Sequence, residues 1–382
     1  MILTVSTLTT VDQLRALEPE WLDLLVRSNA DLPFLWPQWV VSWWEAFRQD
    51  RPVIRDSLLV KIVRRESGEL VAVVPLMVTE RPSVGPTRVR TIGFVGADRY
   101  VTEQRAAIVD PSCESEVAAA LATDLGKDGS WHWIAWEGLQ PESTLARTLG
   151  QVMDLRWATH QAANVLHLAP TWEAFRATLK RNIKESLRHC YNSLKREGLT
   201  AKLEVAVTPA QVASGLEIFF DLHARRAGHA GDVAHPDRFA DPTARRFLML
   251  ACSRFAARNI TRVFTVRIDG VAVASRVAFQ LPGCLYLYYS GFDPAWGKYS
   301  VATTLVAEAI KYAIDARLPC VHLSMGADTS KSRWGPATRV FHAAVSVQPD
   351  LYSRAALGLY SWACAHTGLL TPIKNVLGRR FD

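Results

Sequence analysis

The chain has 382 residues, 49% apolar and 21% charged, a globular composition that excludes a disordered, collagenous or simple coiled-coil protein. The length allows about two or three domains, each burying its own core. Lys and Arg exceed Asp and Glu by 44 − 37 = 7, a thin excess that suits an anionic ligand such as a phosphorylated cofactor and does not require DNA.

Taken in chain order, the patterning predicts a strand at 2–8, a helix at 11–29 whose leucines recur at helical spacing, and a second helix at 36–50. Segments 58–65 and 69–78 alternate around a Ser67-Gly68 turn like a hairpin. A strand at 88–96, a helix at 113–127 and a strand at 131–139 follow. The same order then returns: strand 203–208, helices 209–227 and 242–259, strands 261–268, 271–281 and 284–292, helix 300–316 and strand 320–327. Both copies read β-α-α-β-β-β-α-β, an α/β fold of mixed sheets written twice. The expected division is 1–165, 166–348 and a helical tail, 349–382.

Between the copies, 176–197 carries Arg176, Lys180, Arg181, Lys184, Arg188, Lys195 and Arg196 beside an apolar stripe of Leu179, Ile183, Leu187 and Leu194. That pattern predicts one amphipathic helix with a cationic face, either a solvated scaffold or a contact for phosphates or a polyanion such as tRNA. In the first copy Trp36, Trp39 and Trp43 share a helical face, which reads as core, with an aromatic sugar-stacking site as the sharper alternative. The apolar tail 355–370, bordered by basic residues, reads as a helix packed on its domain; the alternative is contact with a membrane surface.

The six cysteines are widely spaced and form no C-x-x-C pair, so neither a zinc site nor a disulfide framework is signalled. His223, His229 and His235 recur every six residues, which on a helix turns them away from one another, and no metal is expected. No signal-peptide pattern or long uninterrupted apolar window is present, and the expectation is a soluble cytoplasmic protein.

The meander leading into a helix and a strand, with 176–198, 219–226, 268–300 and 322–335 as its anchors, resembles the GCN5-related N-acetyltransferase (GNAT) fold. The tandem arrangement is similar to FemAB-type and CelD-like acetyltransferases, the latter associated with cellulose and exopolysaccharide synthesis. The resemblance implies an acyl-CoA donor held where two parallel strands part, with its pyrophosphate at the N-terminus of the next helix, an ordinary anion site. In this chain that loop offers Gly297, Lys298, Ser300 as N-cap, Val301, Ala302 and Thr303. Val301-Ala302 stands where the family commonly has Pro-Gly, and the usual glycine-rich run is absent.

The resemblance also singles out Lys331, for the activated donor or the developing charge, although His322 and Ser330 replace a family Asp and aromatic. Asp328, Ser324 and Arg333 belong to the same strand end, where open sheets bind ligands. Strict alternation puts Tyr286, Tyr288 and Ser290 on one strand face and Leu285, Leu287 and Tyr289 on the other. Tyr288 could protonate a leaving thiolate, and Tyr286 could line the acceptor. His223 is either a general base or a structural histidine, and Arg225 and Arg226 could clamp an anionic substrate. Asp98 and Tyr100 are expected to shape an acceptor cleft in the first copy, which lacks an obvious phosphate loop. Two other functions stay open: aminoacyl transfer from charged tRNA, as in FemX-like enzymes, and a non-catalytic binding module of a polysaccharide synthase.

Overall fold

A computed structural model describes residues 3–83, 87–98, 100–229, 235–326 and 329–365. Its elements run β1 (Leu3–Leu8), α1 (Val11–Arg27), α2 (Pro37–Phe47), β2 (Arg55–Arg65), β3 (Leu70–Pro82), β4 (Arg88–Phe94), β5 (Ile108–Val109), α3 (Glu114–Lys127), β6 (Trp133–Leu139), α4 (Thr144–Met153) and β7 (Arg156–His167). They continue with α5 (Trp172–Thr178), α6 (Arg181–Arg196), β8 (Ala201–Ala206), α7 (Pro209–Ala227), α8 (Pro242–Ala256), β9 (Thr261–Ile268), β10 (Val271–Leu281), β11 (Cys284–Phe292), α9 (Val301–Asp315), β12 (Cys320–Met325), α10 (Thr329–Ser332), β13 (Ala337–Val347) and α11 (Leu351–Ala365).

The chain separates into a first unit, the residues up to Gln161 with those from Val340 onward, and a second unit, Ala162–Arg339. Within the first, the sheet order is β1-β2-β3-β4-β6-β13, with β5 on β3; within the second it is β7-β12-β11-β10-β9-β8. All neighbours are antiparallel except β4 with β6 and β11 with β12. Both units therefore contain the expected β-α-α-β-β-β-α-β run. The division differs from expected boundaries at 165 and 348 because two unforeseen strands change units: β7 follows α4 but pairs with β12 from Ala163 onward, and β13 follows α10 but pairs with β6 from His342 onward.

The two copies start their first helix alike. Thr10 and Thr208 each accept from the backbone N–H three residues on, and Gln13 and Gln211 reach back to the cap, a reciprocal capping box. In the first unit the predicted trio Trp36, Trp39 and Trp43 is core: all three are buried, and the indole N–H groups of Trp39 and Trp43 are bound to Thr102 Oγ1 (3.1 Å) and Asp98 Oδ2 (2.7 Å). That packing removes the sugar-stacking alternative. On α11, Ala356, Leu357 and Tyr360 pack with Val89, Trp133 and Val347, while Leu359 and Trp362 remain about half exposed. Among the described residues no helix is long and apolar enough to cross a membrane.

In the second unit the predicted basic helix is two helices, α5 and α6, because Leu179 turns extended (ψ 148°) and drops into the core. Ile183, Leu187 and Leu194 pack with Tyr299, Val301 and Leu305 of the α9 region, leaving Lys180, Arg181, Arg188, Lys195 and Arg196 exposed.

Candidate active site

The parallel pair β11–β12 is registered over only three steps, Cys284↔Cys320, Leu285↔Val321 and Tyr286↔His322. Beyond that each strand keeps only its outer neighbour: β11 follows β10 as far as Ala274↔Phe292, and β12 meets β7 at Met325↔Ala163. A gap therefore opens between two strands whose other edges stay pinned. A 3-10 turn, Pro294–Tyr299, leads from β11 to the start of α9.

At that helix end Ser300 sits in the left-handed region (φ 52°) and its side chain makes no capping bond, which corrects the N-cap expectation. The N–H of Thr303 is already given to the Ser300 carbonyl (2.9 Å), so the amides of Val301 and Ala302 are the first-turn donors left to an anion. Lys298 is exposed and pairs with Glu197 (3.3 Å). A Cβ at Gly297 would meet nothing within 4 Å, so no tight approach of the protein's own atoms demands glycine there. From behind, Cys190 donates to the Ser300 carbonyl (3.7 Å) and His189 Nε2 meets the Lys298 carbonyl (3.2 Å). Burial pushes the Cys190 thiol up, partly offset by Thr304, Ser300 and the charge of Arg333.

At the far lip, β12 ends in a bulge: Ser324 has φ 69° and the register slips between His322 and Met325. Gly326 is held by Asn164, whose side chain donates to its carbonyl (2.7 Å), and by its own N–H on the Ala162 carbonyl (3.0 Å). Lys331 folds back from α10 to donate to the Met325 carbonyl, its Nζ 3.8 Å from where a Gly326 Cβ would stand. Lys331, Ser324 and Gly326 are thus gathered at one strand end, and buried Asn164 is a positioning group that sequence patterning missed. Asp328 lies outside the described residues.

The opposite face of β11 departs from strict alternation. Arg276↔Ser290 is followed by Ala278↔Leu287, so β11 carries an extra residue and Tyr288 and Tyr289 point to the same side, rings 4.6 Å apart. Tyr289 therefore leaves the Leu285 and Leu287 face and packs on His223 and Phe239 of the α7 side. Tyr286 is wholly buried, stacked on His322, which removes it as an acceptor contact. Tyr288 is buried against Phe279. Arg225, half-exposed, pairs with Asp221 and Asp293 (both 3.0 Å). Arg226 and Arg276 both reach Ser290 Oγ, at 3.4 and 3.1 Å.

His223 is the structural alternative rather than the base. The Arg238 N–H donates to Nε2 (3.3 Å), so Nδ1 carries the proton and donates to the Ser290 carbonyl (3.0 Å). Burial, the largest cause, pulls its pKa below 6.5. The unfolded chain then binds the extra proton first, so this histidine's contribution to stability is complete above about pH 6.5 and is lost as pH falls toward the folded value. The thermal midpoint is expected to decline from pH 7 to pH 5, and His223→Gln to flatten that slope; equal slopes would remove this account.

In the first unit β4 and β6 also part after two registered pairs, but the chain itself occupies the opening. A Cβ at Gly138 (φ 69°) would lie 2.4 Å from the Arg105 carbonyl, and the partly buried Arg105 pairs with Glu137 (2.7 Å). Asp98, expected at a substrate, is the staple of this loop: Oδ1 accepts from the N–H groups of Tyr100, Val101 and Thr102. A cavity of about 150 Å³ beside it is lined by Gln104, Glu137, Gln161 and His342. In the second unit a cavity of about 310 Å³ lies between α6, β8 and α9 at Tyr191, Lys195 and Thr304.

This geometry agrees with the comparisons. Residues 181–332 match the acetyltransferase (GNAT) domain family. The match covers less than half the chain and nearly all of the second unit's site. Among solved structures, FemX is similar with a TM-score of 0.57 at 11% identity, over 90% of this chain and 97% of that one. The C-terminal DUF2156 domain of a protein named as a lysylphosphatidylglycerol synthetase from Agrobacterium fabrum gives 0.50 at 13%, over 92% and 95%. A conserved protein of unknown function from Bacteroides thetaiotaomicron gives 0.50 at 10%, over 91% and 100%. At these identities the likeness concerns the fold alone. No curated protein matches the sequence.

Proposed function

We propose that the chain is an acyltransferase that moves an acyl group from acyl-CoA to an amine or hydroxyl of a sugar or small metabolite. The observation that carries this is the parting of β11 from β12 after Tyr286↔His322, with the start of α9 beside it. An extended thioester carrier can lie in that gap, its acyl carbonyl toward the strand ends and its phosphates on the amides of Val301 and Ala302. Lys331, at the far lip, is the cation for the oxyanion that forms when the acceptor attacks. The CelD-like resemblance supports a setting in exopolysaccharide, cellulose or envelope synthesis. The exposed cationic face of α6 supports a second reading, a charged tRNA as donor.

Calorimetry and thermal shift with acetyl-CoA, longer acyl-CoAs and aminoacyl-tRNA separate these. A donor at about 100 times its Kd stabilises the folded state by about 2.7 kcal/mol, several degrees in Tm for a unit of this size. Saturation by acyl-CoA is the expected result. Saturation by tRNA alone favours the second reading, and no shift with either favours a non-catalytic module.

A further inference from the structure

Directly beneath the strand opening, the paired stretch of β11 and β12 carries a cluster to which the proposed acyl transfer assigns no role. Cys284 and Cys320 are opposite each other in register, and His322 follows Cys320 on the same strand face. One thiol sulfur from each cysteine and one ring nitrogen of His322 all lie within 4.8 Å of one another. None of the chain's cysteines is in a disulfide. Cys284 and His322 are buried, while Cys320 is partly exposed.

We propose that Cys284, Cys320 and His322 bind a thiophilic divalent cation, zinc above all. Two sulfurs and an imidazole nitrogen are a donor set that Zn²⁺ takes and Mg²⁺ or Ca²⁺ does not. Tetrahedral zinc with ordinary bond lengths holds such atoms about 3.5–3.8 Å apart, so side-chain rotation of about an ångström closes the site without moving the strands. Tyr286 stacks on His322 with the planes 22° apart, fixing the imidazole plane. The Gly283 carbonyl lies 3.3 Å from the Cys320 sulfur, near enough to serve as a fourth, oxygen ligand. The exposed flank of Cys320 is the entry path. Binding releases both thiol protons to solvent. A filled site would staple β11 to β12 at the last rung before they part.

The test uses the full chain, reduced and metal-free, titrated with Co²⁺ and then Zn²⁺. One equivalent of Co²⁺ is expected to produce thiolate-to-metal charge-transfer absorption with intense d–d bands, and one equivalent of Zn²⁺ to abolish both. Cys320→Ser and His322→Gln should each weaken Zn²⁺ by more than the about 10–100-fold carried even by an outer-shell partner, while Cys364→Ser, at an exposed helix position, should change nothing. Because a buried variant may lose its fold, alkylation of the unmutated protein supplies a second readout: saturating Zn²⁺ should slow modification of Cys320 at least tenfold and leave Cys364 unaffected. Absence of the cobalt spectrum, zinc affinity unchanged in Cys320→Ser, or equal alkylation of Cys320 with and without zinc would each overturn the site.

Discussion

Gly291→Ala is expected to destabilise the second unit by about 3 kcal/mol or more, the upper range for forcing extra volume into a packed interior. The position lies near the end of β11, where that strand rests on α7 backbone to backbone. A Cβ there would stand 2.3 Å from the His223 nitrogen and 2.5 Å from the Leu222 carbonyl carbon. Neither atom belongs to a flexible side chain, so relief requires α7 to move from the strand, and with it the His223 bond to Ser290. For a unit of this size the loss corresponds to about 6–12 °C in Tm. Gly297→Ala is the internal control, since its added methyl meets nothing within 4 Å, and it should be neutral or slightly stabilising. Equal melting of the two variants would show that the contact between α7 and β11 is looser than described.

Most elements of each unit were legible because their signals are local. Apolar residues at helical spacing, the hairpin turn at Ser67-Gly68, and the long apolar strands β3 and β10 announce themselves within a dozen residues. Strands β7 and β13 did not. Their residues RWATHQAANVLH and ATRVFHAAVSV mix polar and apolar without clean alternation, and each is spent in the unit opposite to the one its sequence neighbours build. Only pairing across long sequence separation gives them a strand's identity, so the expected boundaries at 165 and 348 fell inside or just after them. The α5–α6 break was hidden for a related reason: nothing in Leu179-Lys180 resembles a helix stop, and burial of Leu179 decides it.

The site shows the same limit more sharply. Lys331 and the start of α9 were singled out through a resemblance, and in the structure Lys331 stands with Ser324 and Gly326 at one strand end. Residues chosen by chemical type alone are placed differently. Arg225, Asp98 and His223 carry groups able to bind or catalyse, yet each has its polar atoms committed to neighbours. A reading by alternation put Tyr289 on the wrong face because one extra residue in β11 inverts everything after it. The cysteine–histidine cluster was invisible for the opposite reason, since its members lie on two strands; the C-x-H pair at Cys320 and His322 is its only trace in one segment.

Lys331→Ala is expected to lower turnover by about 10²–10³-fold, the range for removing one donor to a developing oxyanion, while leaving donor affinity within about threefold. The reason is positional. The ammonium is tethered to the Met325 carbonyl over Gly326, at the lip of the gap toward which the acyl carbonyl would point, while the phosphates would sit on the amides at the start of α9. A cation there meets the acyl carbonyl only after attack has placed negative charge on its oxygen, so its effect falls on the transition state and not on the resting complex. In the folded protein it donates to the Met325 carbonyl from a half-buried position, and its loss should cost at most a few degrees in Tm. Thiol release from acetyl-CoA with a pool of amino sugars and small amines reports turnover, and calorimetry reports donor binding. If affinity and turnover fall together, Lys331 holds the donor in the ground state; if neither falls, the strand end is scaffold, and the oxyanion must be met by backbone amides of the β11 bulge instead.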